Sequence, residues 1–251
     1  MPGEEDGTEP EYVSTASWME KKRLQEEKAA LGFCISGHLF DAYAQEVRKI
    51  VRISLDKISN KSGEKLVAGI IVSIRTRKTG SGGVMNNLMI DDGTGQIELT
   101  VFEDVYDTYR TCFKEDELLI AKILTKVQPA NENFSGSTRH SVLNAMTMAS
   151  ARLRYAKSIH FEMTSNINLH NFKEKAQSYL KEHRPPNNGP VNTNNQPSSL
   201  PMTADLFSEN GVCQIQFPEN WNLYPDDRTI QGFSNLLHVL GIQTPLQVRY
   251  A

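Results

Sequence analysis

Alternating apolar and polar positions between residues 64 and 102 predict three β-strands in succession. An apolar strand at 66–75 leads into a basic, glycine-rich loop, and a second strand follows at 85–90. The acidic, glycine-containing stretch at 91–95 is typical of a tight turn before the third strand, 96–102. The order of these elements matches the start of a small antiparallel barrel of the oligonucleotide-binding (OB) type.

The pattern after the third strand completes such a barrel. In the third strand Ile97, Leu99 and Val101 alternate with polar residues, so one face is expected to be buried. Residues 103–113 read as a helix, followed by strands at 117–127 and 139–148. A helix between strands three and four is the usual OB arrangement. We expect the barrel core to take up four aromatic residues, Phe102, Tyr106, Tyr109 and Phe113.

A helical connector is predicted before the barrel, at 17–60. Ser17 and Glu20 have the spacing of a capping box, and Gly32 suits the position that ends the first helix. A second helix is expected near 40–50. The preceding residues, 1–16, carry acidic side chains with glycine and proline, a composition that favours disorder.

Residues 151–251 are predicted to form a small α/β domain after the barrel domain at 61–150. It contains a Pro/Asn-rich flexible loop at 184–201 and a helix at 229–240, with Asp226–Asp227 as its expected N-cap. Other elements are a helix at 171–183 and strands at 159–163, 213–217 and 246–250. The fold class is therefore mainly β with α, a five-stranded OB-fold barrel between a helical connector and a small α/β unit.

Composition does not single out a nucleic-acid protein, because the net charge is −3 and the pI is about 6.1. Charge distribution is more informative, since residues 61–80 contain five cations and one acid. The three cysteines are far apart, so neither a disulfide framework nor a zinc site is indicated. We found no apolar run near the roughly 20 residues of a membrane span and no signal peptide, which favours a cytoplasmic protein without a membrane partner.

The basic loop after the first strand is the candidate binding site. Arg75, Arg77 and Lys78 stand beside glycines, on a hairpin that can follow a phosphate backbone. Lys65 and Arg139, together with Lys122 and Lys126, would extend the site if their side chains share its face. A solvated hairpin tip is the alternative. The barrel has few aromatic residues on which bases could stack, with Phe134 as the candidate in a loop. Binding is therefore expected to be weak, electrostatic and strongly salt-dependent.

Catalytic chemistry is not indicated. Asp91 and Asp92 are adjacent, so on a strand they would point to opposite faces and could not share a metal ion; a turn role is expected. The histidines lack ligand spacing, and no nucleophile elbow or phosphate-binding glycine motif occurs. We therefore predict no enzyme activity for the chain alone, no metal and no cofactor.

One short segment is a candidate for binding a partner protein. Asp205, Leu206 and Phe207 lie in a polar, proline-flanked stretch, 203–207, and resemble an apolar hook on a flexible tether. The alternative is an edge strand of the C-terminal unit.

Several motifs together resemble the alpha subunit of bacterial DNA polymerase III. The stretch LQEEKAALGFCISGHLFDAY at 24–43 is similar to the family motif L-x-x-EK-x-x-LGFY-x-SGHP-x-x-x-Y. The resemblance continues through VAGIIVSIRTRKTGSGGVMNNLMIDDGTGQIELTVFEDVYDTY at 67–109, ENFSG at 132–136 and ASARLRYAKSIHFEM at 149–163. It ends with WNLYPDDRTIQGFSNLLHVLGIQTPLQVRY at 221–250, and so covers residues 17–251.

The family is a DNA-directed DNA polymerase, a nucleotidyltransferase whose catalytic core and clamp-binding motif lie upstream of this region. The resemblance thus implies a C-terminal fragment that functions in DNA replication without a catalytic core. It also implies single-stranded DNA bound by the barrel, the clamp-loader tau subunit bound by the C-terminal unit, and other replicative polymerase subunits as partners. The sliding clamp is a further candidate, through 203–207.

The chain departs from the family pattern at several positions. Leu39 replaces a proline and Cys34 a tyrosine, and Asn86 and Asn87 stand where a small and an aromatic residue are common. The asparagines would remove a stacking platform. Two alternatives therefore stay open: a pure protein-interaction module, or the C-terminal half of a split polymerase with a separate catalytic chain.

Overall fold

Five strands form a closed barrel in the computed structural model, which describes residues 20–58, 61–78, 80, 82–128, 137–183 and 198–250. Their order around the barrel is β1-β2-β3-β5-β4, with β1 pairing to both β2 and β4 and with β3 and β5 parallel. This order and closure confirm the predicted OB fold. The strands are β1 (Gly63–Lys78), β2 (Val84–Asp91), β3 (Gln96–Phe102), β4 (Leu118–Gln128) and β5 (Ser137–Met146).

The first strand bends, and so it pairs with β4 along its first half and with β2 along its second half. A register shift between Ile71 and Ser73 interrupts its pairing with β2. Gly69 lies just before the bend, where a Cβ atom would stand 3.0 Å from the carbonyl oxygen of Asp91. A glycine is therefore needed for this close approach of two backbones.

Six α-helices flank the two sheets in the described part of the chain. They are α1 (Glu20–Leu31), α2 (Asp41–Ile50), α3 (Glu103–Thr108), α4 (Met148–Tyr155), α5 (Leu169–Glu182) and α6 (Asp227–Val239). The end of α1 is as predicted, since Gly32 has φ +84° and donates its N–H to the Lys28 carbonyl. The predicted helix 103–113 is shorter, because a 3₁₀ turn at Arg110–Cys112 replaces its second half. The Ser17 cap, the 1–16 tail, Phe134 and residues 184–197 of the predicted loop lie outside the described residues.

Two separate apolar clusters use the two faces of the barrel wall. Val67, Ile71 and Leu119 belong to the barrel interior, whereas Ala68 and Ile120 face outwards. The outward residues are covered by the connector, whose buried side chains include Leu24, Leu39, Phe40, Tyr43 and Val47. The connector is therefore packed directly on the barrel.

A four-stranded sheet forms the second unit, in the order β8-β7-β6-β9, with β6 and β7 parallel. The strands are β6 (Ala156–Thr164), β7 (Met202–Ser208), β8 (Gly211–Gln216) and β9 (Gln247–Tyr250). One face packs on α5 and α6, where Phe161 contacts Phe172 and Phe233. The predicted cap of α6 is confirmed for Asp226, which accepts the Thr229 N–H at 2.6 Å, while Asp227 pairs with Arg152 instead.

The segment proposed as a flexible hook is an inner strand of this sheet. Residues 203–207 belong to β7, which pairs with β6 on one side and β8 on the other. Leu206 points into the apolar cluster, whereas Asp205 and Phe207 lie on the opposite face. The tether prediction is wrong, because both backbone edges of the segment are used by the sheet, and the edge-strand alternative is wrong for the same reason.

None of the helices in the described part of the chain is long and apolar enough to span a membrane.

Candidate nucleic-acid interface

The outer face of β1, β2 and β3 carries a row of side chains at the end nearest the basic loop. Arg77 pairs with Met85, and Met85 pairs in turn with Phe102. Directly opposed residues in antiparallel strands share one face, so these three side chains lie side by side. Arg75, Asn87 and Thr100 form the next row of the same face.

The three cations at the end of β1 are exposed, and no carboxylate among the described residues pairs with them. Arg75, Arg77 and Lys78 are all exposed, and none of them forms an ion pair with any residue that the structure describes. Because successive side chains of a strand alternate, Lys78 projects to the other side of β1 from Arg77. The two arginines can therefore contact one ligand together, with Lys78 at the strand tip.

Phe102 corrects the sequence prediction for the aromatic residues. It was expected in the core, but 43% of it is exposed. Phe113 is buried as predicted, and Tyr106 stacks on it with 5.4 Å between ring centroids. The alternation of β3 contained the signal, because Ile97, Leu99 and Val101 point inwards and Phe102 is therefore out of phase with them. Sequence reasoning missed this exposed aromatic ring, which lies on the same face as two arginines with Met85 between it and Arg77.

The other predicted cations do not join this row. Lys65 pairs with Ile123, an interior residue, and its Nζ donates to the Lys61 carbonyl at 2.6 Å at the mouth of the barrel. Arg139 is exposed and pairs with Lys126 on the outer side of β4 and β5. The next residue, His140, pairs with Leu99 in the middle of β3. Arg139 therefore lies near the middle of β3, whereas Phe102 is at its end.

The other two candidates for extending the site are placed differently. Lys122 is neutralised by Glu64 at 2.6 Å. Lys126, opposite Arg139, is exposed and makes no ion pair within the described ranges. Arg139 and Lys126 thus lie together on β4 and β5, and not in the row with Arg75 and Arg77 that they were expected to extend.

The two asparagines of β2 have different positions. Asn86 is buried and accepts a hydrogen bond from the Thr76 hydroxyl at 2.7 Å, so it belongs to the barrel wall. Asn87 lies on the outer face and donates its amide to the Glu98 carboxylate. Glu98 therefore places a negative charge on this face, farther from the basic loop than the row of Arg77 and Phe102. This charge confines the anion-binding part of the face to the end nearest the basic loop.

The acidic turn after β2 has a structural role. Asp92 is buried and accepts N–H groups from Leu55, Thr94 and Gly95, at 2.9, 2.9 and 3.2 Å. Asp91 accepts the Gly93 N–H at 2.7 Å and lies 3.5 Å from His38. The predicted turn role is confirmed. Among the described residues, no group of three or more His, Cys, Asp or Glu side chains could hold a metal ion.

Comparison with known proteins finds similarity to DNA polymerase III alpha subunits of several bacteria. The chain is 28% identical to DNA polymerase III subunit alpha of Pseudomonas fluorescens over 212 residues, 84% of this chain and 17% of that protein. It is 29% identical to the Neisseria meningitidis serogroup A subunit over 236 residues, 93% of this chain and 19% of that protein. The Escherichia coli K12 subunit is 23% identical over 237 residues. The resemblance indicated by the sequence motifs is confirmed, and the chain spans about a fifth of the length of these relatives.

No protein-family model matches the chain. Among solved structures, the S. cerevisiae mitochondrial single-stranded DNA binding protein Rim1 matches 35% of this chain and 97% of its own, at 12% identity and a TM-score of 0.30. DNA binding domain A of S. cerevisiae Replication Protein A matches 38% of this chain and 89% of its own, at 18% identity and a TM-score of 0.25. These scores are too low to support a functional conclusion, so the OB fold is assigned from the order and closure of the strands.

Proposed function

We propose that this chain, similar over most of its length to DNA polymerase III subunit alpha, is a non-catalytic replication module that binds single-stranded DNA. The observation that carries the proposal is the row of Arg77, Met85 and Phe102 on the outer face of the barrel. The polymerase activity of the relatives is not transferred to this chain, because the chain spans about a fifth of their length.

The row supplies the two interactions that single-stranded DNA requires. Arg75 and Arg77 present guanidinium groups to phosphates, and Phe102 offers a ring on which one base can stack. Lys78 and Arg139 would add phosphate contacts at the margins, while Lys65, held at the barrel mouth, would contribute least. Since stacking tolerates every base and Glu98 limits the cationic area, we expect modest affinity with little sequence preference.

The test is fluorescence anisotropy with a labelled oligodeoxythymidine across a salt series. We expect affinity to fall steeply between about 50 and 200 mM salt. The double variant Arg75→Glu/Arg77→Glu should abolish binding, and the milder Arg75→Gln/Arg77→Gln should reduce the salt slope by about 1.4, the loss of two phosphate contacts on a single strand.

A matched control is Lys173→Glu/Lys175→Glu, which changes the net charge equally at two exposed positions of α5. It should bind DNA nearly as well as the unmodified chain. Affinity that does not respond to salt, or an equal loss in the control, would refute binding by this face.

For the C-terminal unit we propose a protein partner of the replication machinery, the clamp-loader tau subunit, on the strength of the family relationship. Contact with other polymerase subunits is a proposal of the same origin. Weak contact with the sliding clamp through residues 203–207, a cytoplasmic location and the division at residues 61–150 and 151–251 are proposals that rest on the sequence pattern. Capture of purified tau by residues 151–251, and no capture by residues 61–150, would support the assignment. Capture of tau by the full chain without any DNA binding would favour a pure protein-interaction module.

A further inference from the structure

The two edges of the C-terminal sheet differ in how well they are protected. At one edge, β9 has four residues, includes the charged Arg249, and ends at Tyr250, whose hydroxyl donates to Glu46 at 2.5 Å. At the other edge, β8 has six residues, of which five are exposed, and contains neither charge nor proline. Edge strands are normally shielded by such features, because an open edge can pair with another chain.

The backbone of β8 directs pairing groups away from β7 at alternate residues, and among the described residues the one contact they make is a weak one, from the Cys213 thiol to the Gln214 carbonyl at 3.8 Å. The Phe217 N–H donates to the Met202 carbonyl at 3.0 Å, which fixes the phase of hydrogen bonding between β7 and β8. In antiparallel pairs the bonded residues alternate with non-bonded ones. The backbone N–H and C=O groups of Val212, Gln214 and Gln216 therefore point away from β7, towards solvent.

Apolar side chains accompany this edge. Val212 is 61% exposed and pairs across the strands with Phe207, which is 40% exposed. Both lie on the sheet face that α5 and α6 do not cover. An additional strand with an apolar side chain opposite Val212 would remove Val212 from water and extend the apolar strip that Val212 forms with Phe207.

Charge at the two ends of β8 restricts the occupant. Glu209 precedes the strand and Glu219 follows it; both are exposed, and neither makes an ion pair within the part of the chain that the structure describes. In an antiparallel pair with a second copy, Glu209 of one strand would meet the Glu219 end of the other, and like charges would oppose the pairing. An extended segment with basic residues at both ends has the opposite effect.

We propose that the β8 edge binds an extended segment of a partner protein by strand addition. The segment has small apolar side chains at alternate positions, to cover Val212, and Lys or Arg at each end, to face Glu209 and Glu219. Main-chain hydrogen bonds from Val212, Gln214 and Gln216 hold it in register.

The probe is the capped peptide Lys-Val-Thr-Val-Thr-Val-Lys, added to the full chain and followed by amide hydrogen exchange with NMR detection. We expect exchange at Val212, Gln214 and Gln216 to slow by about tenfold or more at saturation, because these amides gain acceptors. Exchange at Cys213 and Ile215, which already face β7, should not change. The same peptide with proline at its centre should have no effect.

A variant separates edge pairing from general binding. Gln214→Pro removes an N–H that faces solvent, a position where an edge strand tolerates proline, so the sheet should remain folded by circular dichroism. It should lose peptide protection, whereas Gln214→Thr should keep it. Unchanged exchange at the three amides, equal binding by the proline variant, or concentration-dependent dimerisation of the chain through β8 would overturn the proposal.

Discussion

The guanidinium group of Arg152 donates from Nε and Nη2 to the two carboxylate oxygens of Glu46, at 2.9 and 2.7 Å. The same side chain donates from Nη1 to Asp227 at 2.7 Å and to the Pro225 carbonyl at 2.9 Å, and Tyr250 completes the cluster through Glu46. Burial opposes the charge, but the hydrogen bonds and charges of Glu46 and Asp227 raise the pKa of Arg152. The cluster therefore joins the connector to the C-terminal unit.

Replacement of Arg152 should destabilise the protein. We expect Arg152→Met to lower the free energy of unfolding by about 2–4 kcal/mol, somewhat less than for a fully buried pair because Asp227 is half exposed. Urea denaturation gives the value. Arg110→Ala, at an exposed arginine without an ion pair among the described residues, should change it by less than about 0.5 kcal/mol. Equal stability of both variants would contradict a joining role.

Stability should decrease as the solution becomes acidic. Burial lowers the pKa of both His140 and His160 from the ordinary value of 6.5. Below that pH the unfolded chain binds protons that the folded chain does not, so their contribution is complete above pH 6.5 and is lost as pH falls. Each histidine adds a slope of at most about 1.4 kcal/mol per pH unit.

The measurement is the free energy of unfolding between about pH 7 and pH 5. The double variant His140→Gln/His160→Gln should have a flatter dependence on pH, whatever its absolute stability. His170→Gln is the control, since the His170 side chain is 83% exposed. A slope that the double variant leaves unchanged would assign the acid sensitivity to other groups.

Phe102 should contribute to DNA affinity without contributing much to stability. Phe102→Ala is expected to weaken oligodeoxythymidine binding by about 1–3 kcal/mol, the usual range for one stacked base. The melting temperature should change little, because the ring is 43% exposed. Phe113→Ala should do the reverse, lowering the melting temperature through the loss of a buried ring. Anisotropy and thermal melting on the same preparations distinguish the two; unchanged affinity in Phe102→Ala would remove stacking from the proposed mode.

The two adjacent carboxylates of the acidic turn should contribute unequally to the free energy of unfolding. Asp92→Ala leaves three N–H groups without their acceptor, one of them the buried N–H of Leu55, and should cost about 2–3 kcal/mol of unfolding free energy. Asp91→Ala removes the acceptor of one backbone N–H, that of Gly93, and of the Gln96 side-chain amide, both exposed, and should cost about 1 kcal/mol or less. Chemical denaturation of both variants checks the order, and an equal or larger loss for Asp91→Ala would contradict it.

Local sequence patterns were sufficient to predict most elements of the barrel. The alternation in β3, the glycine-containing turn at 91–95 and the glycine after α1 are all properties of a few neighbouring residues, and each predicted element was found. The same patterns failed where packing between distant segments decides the outcome. Residues 203–207 read as a polar, exposed stretch, yet they form the inner strand β7, because β6 and β8 satisfy both backbone edges.

The candidate site divides in the same way. The sequence by itself determined that a strand–loop–strand unit bears Arg75, Arg77 and Lys78, since charge and turn residues are written locally. Only the tertiary structure decided that Phe102 lies on the same face as Arg77, with Met85 between them. It also decided that Lys65 lies at the barrel mouth and that Arg152 lies between Glu46 and Asp227. The physical reason is that strand register and barrel closure bring together side chains from distant parts of the chain, and a linear pattern does not contain that register.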